Sequence, residues 1–318
     1  MKAVVIEEYG SPEVLQVKEV EQPKPTKKQI LIKVHATSVN SGEWRVRKAD
    51  PFIVRLFFGL TKPRFPILGT TYAGVIESIG EEVTNWQVGQ RVFGMTGMKM
   101  GSYAEYLALP ATGCISEMPG SLDYLEAATI PFGGITAACF LKRAKLEGNN
   151  NVLVYGASGA VGTAAVQLAK AAGAKVTAVC SGENAALVKG LGADEVLDYK
   201  ADNFKLVDGA YDIVFETVDK CSLDQCLLAL KKGGTLILGS AGFKDTLRGA
   251  LKSSFGSKKV ISGVSDEDSE HLEYIKTLLE KKAYKAVVDK QYPLEEMRQA
   301  HTYVEAGHKK GNVAINII

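Results

Sequence analysis

The sequence predicts an α/β protein with two domains, one mostly β and the other a doubly wound parallel sheet with helices on both faces. Three observations support this prediction. The chain has 318 residues, which is about two domains' worth. Residues 1–124 contain short β-type segments separated by turn clusters. From residue 151, short apolar runs alternate with Ala- and Leu-rich amphipathic stretches, a pattern typical of a parallel sheet covered by helices.

The first domain is predicted to consist of short strands. The candidate strands are 3–6, 29–34, 73–79 and 91–93. The segment 287–318 returns to strand-like alternation around a short helix, so we expect it to fold back onto the first domain. The predicted boundaries are 1–124 with 284–318 for the β domain, and 125–283 for the parallel-sheet domain.

One segment, 51–60, is apolar and aromatic within an otherwise polar region. It is too short to span a bilayer and it contains Arg55. Two interpretations remain open, namely a core helix and a lid over a ligand cleft.

The composition excludes several classes of protein. Hydrophobic residues make up 46% and charged residues 23%, as in soluble globular proteins. The net charge of +2 gives no electrostatic case for a nucleic-acid partner. Acidic residues near the start argue against a signal peptide, and no run of about 20 apolar residues indicates a membrane span. We therefore expect a cytoplasmic protein with no membrane partner.

The five cysteines are scattered and suggest neither a disulfide framework nor a CxxC metal cluster. The first 113 residues contain no Cys and a single His, His35. A thiolate-ligated zinc is therefore excluded from that part of the chain.

The strongest local signal is a glycine-rich turn between a strand and a helix. The apolar run 152–155 precedes this turn, and the helix-forming run 163–172 follows it. The free N–H groups and the positive dipole end of such a helix suit a pyrophosphate. Gly159 would let the backbone approach the phosphate, and Gly162 would let the helix pack on the strand. With a second strand at 176–179, the turn predicts dinucleotide binding rather than an ordinary tight turn. Its predicted coenzyme-binding residues are Ala157, Ser158, Gly159, Ala160, Val161 and Gly162.

The end of the second strand bears on which dinucleotide binds. NAD-preferring sites carry an acidic residue there, which binds the adenosine ribose hydroxyls. This chain has Cys180 and Ser181 instead. The small Ser181 leaves room for a 2′-phosphate and favours NADP(H). No Arg or Lys follows to neutralise that phosphate, and Glu183 would repel it, so NAD(H) remains possible.

Further motifs extend over nearly the whole chain. They include Val-Asn-Ser-Gly-Glu-Trp at 39–44, Leu-Gly-Thr-Thr-Tyr-Ala-Gly-Val-Ile at 68–76, Gly-Ser-Tyr-Ala-Glu-Tyr at 101–106 and Leu-Gly-Ala-Asp at 191–194. With these motifs the chain resembles the medium-chain dehydrogenase/reductase superfamily, and within it the zinc-free quinone oxidoreductase-like branch. The resemblance implies a GroES-like, mostly β catalytic domain and a Rossmann coenzyme domain.

The resemblance also implies a reaction without zinc. Zinc-dependent members hold the catalytic metal with a Cys near position 40 and a Gly-His-Glu near position 69, where this chain has Asn40 and Gly69-Thr70-Thr71. Without a metal to polarise the substrate, reduction of a quinone or an α,β-unsaturated carbonyl is favoured over oxidation of simple alcohols. Hydride would pass from the nicotinamide to this small-molecule acceptor in the cleft between the domains.

The resemblance assigns further residues to the coenzyme. It implies that Asn40 lies at the nicotinamide ribose and the substrate, and Thr136 at the nicotinamide amide. Tyr199 would stack near the adenosine, while Gly239 and Ser240 would approach the nicotinamide by their backbone.

Arg45 and Tyr72 are candidate hydrogen-bond or proton donors to the substrate. Each of the assigned side chains could instead have a purely structural or solvent-exposed role. Asn40 and Thr136 could be turn or cap residues, Tyr199 a surface aromatic, Arg45 a solvated side chain, and Tyr72 part of the packed core.

Two other functions remain open, namely an enoyl-thioester reductase and a non-catalytic redox sensor or scaffold that binds NADP(H). The resemblance further implies a homodimer, formed through the edge strand of the coenzyme sheet near 259–263.

Overall fold

The computed structural model describes residues 1–240, 248, 249, 253, 257–266 and 268–318. The strands are β1 Lys2–Val5, β2 Gln16–Glu19, β3 Gln29–Val39, β4 Thr71–Ile79, β5 Arg91–Met95, β6 Tyr106–Pro110, β7 Cys114–Glu117, β8 Asn151–Tyr155, β9 Lys175–Cys180, β10 Glu195–Asp198, β11 Tyr211–Glu216, β12 Leu230–Leu238, β13 Lys259–Ser262, β14 Val288–Pro293 and β15 Asn312–Asn316. The helices within the described ranges are α1 Ser41–Lys48, α2 Val54–Phe58, α3 Tyr124–Arg143, α4 Ala160–Ala171, α5 Ala185–Gly190, α6 Leu223–Ala229, α7 Ser269–Glu280 and α8 Met297–Glu305.

The chain divides into two compact units. Unit 1 comprises Met1–Phe132, Glu267–Glu280 and Ala286–Ile318, and unit 2 comprises Gly133–Asp266 and Lys281–Lys285. These boundaries differ from those predicted, because unit 1 extends into α3 and includes α7. Helix α7 belongs to unit 1 because it packs on β7 of that unit.

Unit 1 contains a mainly antiparallel sheet of seven strands. Its order is β14-β15-β3-β4-β5-β7, and β6 also pairs with β3. The C-terminal strand β15 pairs antiparallel with β3, so the end of the chain completes this sheet. Buried apolar side chains such as Ile32, Ile76 and Val92 alternate along the strands and form the core beneath the sheet.

Unit 2 contains a parallel sheet of six strands in the order β10-β9-β8-β11-β12-β13. The central strand β8 is almost entirely buried, as expected for a sheet covered on both faces. The order reverses between β8 and β11, and dinucleotides bind at such a switch point in doubly wound sheets. The predicted fold class, with a β domain and a Rossmann-type domain, is thereby confirmed.

The segment around α2 is exposed rather than buried. Phe52, Leu56, Phe57 and Leu60 are each more than half exposed. The structure therefore excludes the core-helix interpretation of this segment.

Helix α3 is long and apolar enough to cross a membrane by length and composition, among the residues that the structure covers. However, 72% of its most apolar stretch is buried inside the protein. This burial is typical of a core helix.

Candidate functional site

The glycine-rich turn follows β8 directly, and two of its glycines are required by the protein's own packing. Gly156 has a φ of +80°, a conformation that other residues rarely adopt. A Cβ on Gly162 would lie 2.1 Å from the Gly156 carbonyl oxygen and 2.7 Å from Ala157 Cα. The helix α4 can approach the strand this closely only because position 162 has no side chain.

Gly159 is different, because nothing within the protein requires a glycine there. It has an ordinary extended conformation as the N-cap of α4, and a Cβ on it would meet nothing closer than 3.5 Å. The missing side chain instead leaves open the approach to the first N–H groups of α4, which have no intrahelical partners. This is the arrangement that a bound pyrophosphate requires. Ala160 and Val161 begin the helix at this point, one turn earlier than the sequence predicted.

The ends of the neighbouring strands converge on the same turn. Thr217, after β11, donates its hydroxyl to the Tyr155 carbonyl at 2.8 Å. Ser240, after β12, donates its hydroxyl to the Thr217 carbonyl at 2.9 Å. The Gly239 N–H donates to the Glu216 carbonyl at 2.8 Å. Ser240 is therefore linked to the glycine-rich turn through Thr217, and Gly239 is bonded to Glu216, the residue before Thr217.

A polar cluster lies at the end of β9. The Asn184 side-chain amide donates to the hydroxyls of Ser158 and Ser181, at 3.1 and 3.2 Å. The Asn184 Oδ1 atom is buried and has no hydrogen-bond partner. In either orientation of the amide, one of its polar atoms is left without a partner, and such a buried group is costly unless a ligand satisfies it. An adenosine ribose hydroxyl would do so, which means that the residues present fit a dinucleotide.

Sequence analysis missed Asn184, although its place three residues after Ser181 was available as a signal. Sequence analysis also missed a positively charged side chain, that of Lys200. Lys200 Nζ lies 3.0 Å from Glu183 Oε1, because β10 pairs in parallel with β9 and aligns Asp198 with Cys180. No Arg or Lys directly follows Ser181 in the sequence, but the fold brings Lys200 next to Glu183. Hydrogen bonding to Glu183 raises the pKa of Lys200, which keeps its charge.

Tyr199 precedes this lysine and is 46% exposed. Its backbone N–H donates to the Cys180 carbonyl at 3.2 Å, which places the residue beside the end of β9. An exposed ring in this position is available for stacking on a base.

Thr136 lies in α3, on the part of the helix that belongs to unit 2. One turn before it, Gly133 approaches the start of α4 so closely that a Cβ would lie 2.4 Å from the Ala160 carbonyl oxygen. Thr136 Oγ1 is 3.4 Å from Ser265 Oγ. Thr136 therefore lies one helical turn after the point at which α3 packs on the start of α4.

In unit 1, Asn40 is the N-cap of α1. Its Oδ1 accepts from the Gly42 N–H at 3.2 Å, and Glu43 accepts from the Asn40 N–H at 2.9 Å, which together form a capping box. The cap alternative for Asn40 is thus observed. The Asn40 side chain is buried, and its Nδ2 atom has only a long contact, 3.5 Å, with Thr70 Oγ1, so its hydrogen-bonding capacity is largely unused within the protein.

Glu43 connects the two segments in which zinc-dependent members carry metal ligands. Its carboxylate is fully buried and accepts from the Thr70 N–H at 3.0 Å, from the Thr70 hydroxyl and from the Asn40 N–H. Burial raises the pKa of Glu43 above its usual value, and these hydrogen bonds offset only part of that shift. The Asn-x-x-Glu pattern of a capping box is the sequence signal for this arrangement.

The neighbouring residues have different environments. Thr71 is buried, with its hydroxyl 2.7 Å from Ser38 Oγ. Arg45 is partly exposed, with its guanidinium 5.0 Å from the centre of the Trp44 ring.

Tyr72 has no exposed surface and donates its hydroxyl to the Cys114 carbonyl at 3.3 Å. Burial raises the pKa of Tyr72 well above its usual value. This placement agrees with the packed-core alternative for Tyr72.

Comparisons with known proteins agree with the two kinds of domain described above. Residues 26–120 match the family described as "Alcohol dehydrogenase GroES-like domain", and residues 191–315 match "Zinc-binding dehydrogenase". The chain is 33% identical to a human quinone oxidoreductase over 326 residues, which cover 96% of this chain and 94% of the relative.

Solved structures of similar proteins have the same fold over the whole chain. The quinone oxidoreductase from Coxiella burnetii has a TM-score of 0.90 at 27% identity and covers 100% of this chain and 99% of its own. A mycobacterial protein complexed with NADPH has a TM-score of 0.84 at 27% identity, with 100% of both chains covered. The chain therefore belongs to the medium-chain dehydrogenase/reductase superfamily, in the quinone oxidoreductase-like branch.

Proposed function

We propose that this enzyme transfers hydride from NADPH to a quinone or to the C=C bond of an α,β-unsaturated carbonyl, without zinc. When bound, the coenzyme supplies the hydride. The observation that carries the proposal is the hydrogen-bond network of Asn40, Glu43 and Thr70. By the family resemblance, Asn40 and Thr70 stand in the two segments that carry the zinc ligands of metal-dependent members.

This donor set is unsuited to zinc, which prefers thiolate and imidazole ligands. The Glu43 carboxylate is committed to backbone and hydroxyl donors on both of its oxygens. In place of a metal, Asn40 Nδ2 offers an N–H donor to the oxygen that becomes negative as hydride is transferred. Such a donor suits an acceptor that is already polarised, whereas a simple alcohol would need stronger activation.

The residues of unit 2 support the proposal that the coenzyme is NADP(H). The pyrophosphate would bind at Gly159 and the start of α4, and the adenosine ribose would satisfy the unpartnered amide atom of Asn184. Lys200 would bind the 2′-phosphate of NADP(H), with Glu183 as its counterion in the absence of coenzyme. Since Glu183 competes with the phosphate for Lys200, we expect a measurable but moderate preference for NADPH over NADH.

The first experiment follows the oxidation of NADPH and NADH at the nicotinamide absorbance. The panel contains several quinones, several enones and one enoyl-CoA, with a chelator and no added metal. We expect turnover with a quinone or enone that persists with the chelator. Turnover restricted to the enoyl-CoA would indicate an enoyl-thioester reductase, and coenzyme binding without any turnover would indicate a sensor or scaffold. The comparisons favour neither alternative.

A charge series tests the coenzyme assignment. Lys200→Met should lower kcat/KM for NADPH about tenfold or more and leave that for NADH nearly unchanged. Glu183→Gln removes the competing carboxylate and should raise the NADPH preference. Lys175→Met is a matched control, because Lys175 forms a similar exposed ion pair, with Glu195, at the opposite end of β9. Equal losses with both coenzymes for Lys200→Met would show that Lys200 does not bind the 2′-phosphate.

The remaining proposals concern assembly and location. We infer a homodimer formed through β13, which among the described residues pairs with β12 alone. A monomeric mass in solution scattering would refute it. We also propose a cytoplasmic location, NADP(H) as the preferred coenzyme, and neither nucleic acid nor membrane as a partner.

A further inference from the structure

Two cysteines meet at the start of α6. Ser222 is the N-cap of this helix and accepts from the Gln225 N–H at 3.3 Å. Cys221 and Cys226 therefore occupy the positions just before the cap and four residues into the helix, whose side chains pack together in a hydrophobic staple. Accordingly, Cys221 packs against the apolar cluster that contains Cys226. The two cysteines are therefore neighbours at the start of α6.

The two thiols have different environments, as a reactive and a resolving cysteine require. Cys221 is partly exposed, whereas Cys226 has no exposed surface. The interaction between the two thiol groups lowers the pKa of Cys221 and raises that of Cys226. The accessible sulfur is thus the one that reaches the nucleophilic thiolate form more readily.

The pair is also connected to the glycine-rich turn. Cys221 follows the loop 217–220, which wraps around the buried Glu216 through N–H bonds from Val218, Asp219 and Lys220. Thr217, at the start of this loop, donates to the Tyr155 and Gly156 carbonyls. These hydrogen bonds connect the loop before Cys221 to the turn that is proposed to bind the pyrophosphate.

We propose that Cys221 and Cys226 form a reversible dithiol–disulfide pair, oxidised by hydroperoxides, and that closing the disulfide weakens coenzyme binding. The Cys221 thiolate attacks a peroxide oxygen, the O–O bond breaks, and a sulfenic acid and hydroxide form. The Cys226 sulfur then attacks the Cys221 sulfur, and the S–O bond breaks. The sulfenic oxygen leaves as water with the Cys226 proton, and an external dithiol reverses the reaction.

Intact mass spectrometry after treatment with hydrogen peroxide tests the chemistry without any reference to the coenzyme. We expect a loss of about 2 Da that dithiothreitol reverses, and a peptide map that links Cys221 to Cys226. Cys221→Ser and Cys226→Ala should each abolish this loss, while the control Cys114→Ala, at another buried thiol, should retain it. Addition of oxygen without disulfide formation in the wild type would overturn the proposal.

Titration with NADPH then tests the coupling, which rests on the proposed coenzyme site. The oxidised wild type should bind NADPH about fivefold or more weakly than the reduced protein. Peroxide should leave the affinity of the Cys226→Ala variant unchanged. Unaltered affinity of the disulfide form would refute the coupling. Failure of the reduced protein to bind NADPH at all would count against the proposed function and leave the mass result standing.

Discussion

A matched pair of glycine substitutions in one turn separates the requirements of folding from those of coenzyme binding. In Gly162→Ala, the new methyl group would lie 2.1 Å from the Gly156 carbonyl oxygen and 2.7 Å from Ala157 Cα. Both are backbone atoms, so α4 itself has to move. Overpacking of this kind costs about 2 kcal/mol, which lowers the melting temperature by about 4 to 8 °C in a domain of this size.

In Gly159→Ala, the new methyl group meets nothing within the protein closer than 3.5 Å. The cost to folding is then only that of a poorer N-cap, about 0.5 to 1 kcal/mol. The methyl group instead occupies space next to the first N–H groups of α4. We expect the Kd for NADPH to rise about tenfold, or about 1.4 kcal/mol.

Thermal unfolding and isothermal titration with NADPH on both variants give the two readouts. Wild-type affinity in Gly159→Ala would refute the assignment of the pyrophosphate to this position. Wild-type stability in Gly162→Ala would refute the close approach of α4 to the turn.

Three further substitutions test other parts of the molecule. Asn40→Ala should lower kcat about tenfold or more with little change in NADPH affinity, and unchanged turnover in a quinone assay would remove Asn40 from the site. Tyr72→Phe should leave kcat unchanged and cost about 1 kcal/mol of stability through the lost bond to the Cys114 carbonyl, whereas a large loss of kcat would restore Tyr72 as a proton donor. Burial lowers the pKa of His301 from 6.5 to about 3, so the unfolded chain binds a proton that the folded chain does not, and stability falls as the pH decreases through this window. His301→Asn should flatten the pH dependence of the free energy of unfolding between about pH 6.5 and 3, by up to about 1.4 kcal/mol per pH unit, and an unchanged slope in denaturant titrations would contradict the shift.

The glycine-rich turn could be predicted from sequence because its determinants are local. A strand, a turn and a helix that follow each other within about 20 residues contain their own hydrogen-bond and packing requirements. The sequence pattern predicts that Gly159 lets a phosphate approach the backbone and that Gly162 lets the helix pack on the strand, but it supplies no distances. The structure supplies the distances that a Cβ would have to neighbouring backbone atoms.

Residues that act through pairing between distant segments could not be predicted. Lys200 reaches Glu183 because of the register between β10 and β9, and no periodicity in the sequence encodes that alignment. Glu43 and Thr70 meet because α1 and the segment before β4 lie side by side, although 27 positions separate the two residues. For Tyr72, the sequence left a donor and a core residue open, and burial favours the core residue.

By itself, therefore, the sequence determined the two kinds of fold, the order of strands and helices in the coenzyme unit, and the site of the glycine-rich turn. These properties follow from hydrophobic period and from the backbone freedom of glycine, which act over a few residues. Tertiary structure alone decided the exposure of the segment around α2, the burial of Glu43 and Tyr72, and the charge pair beside Ser181. Exposure and pairing depend on which distant surfaces pack together, and that is a property of the whole chain.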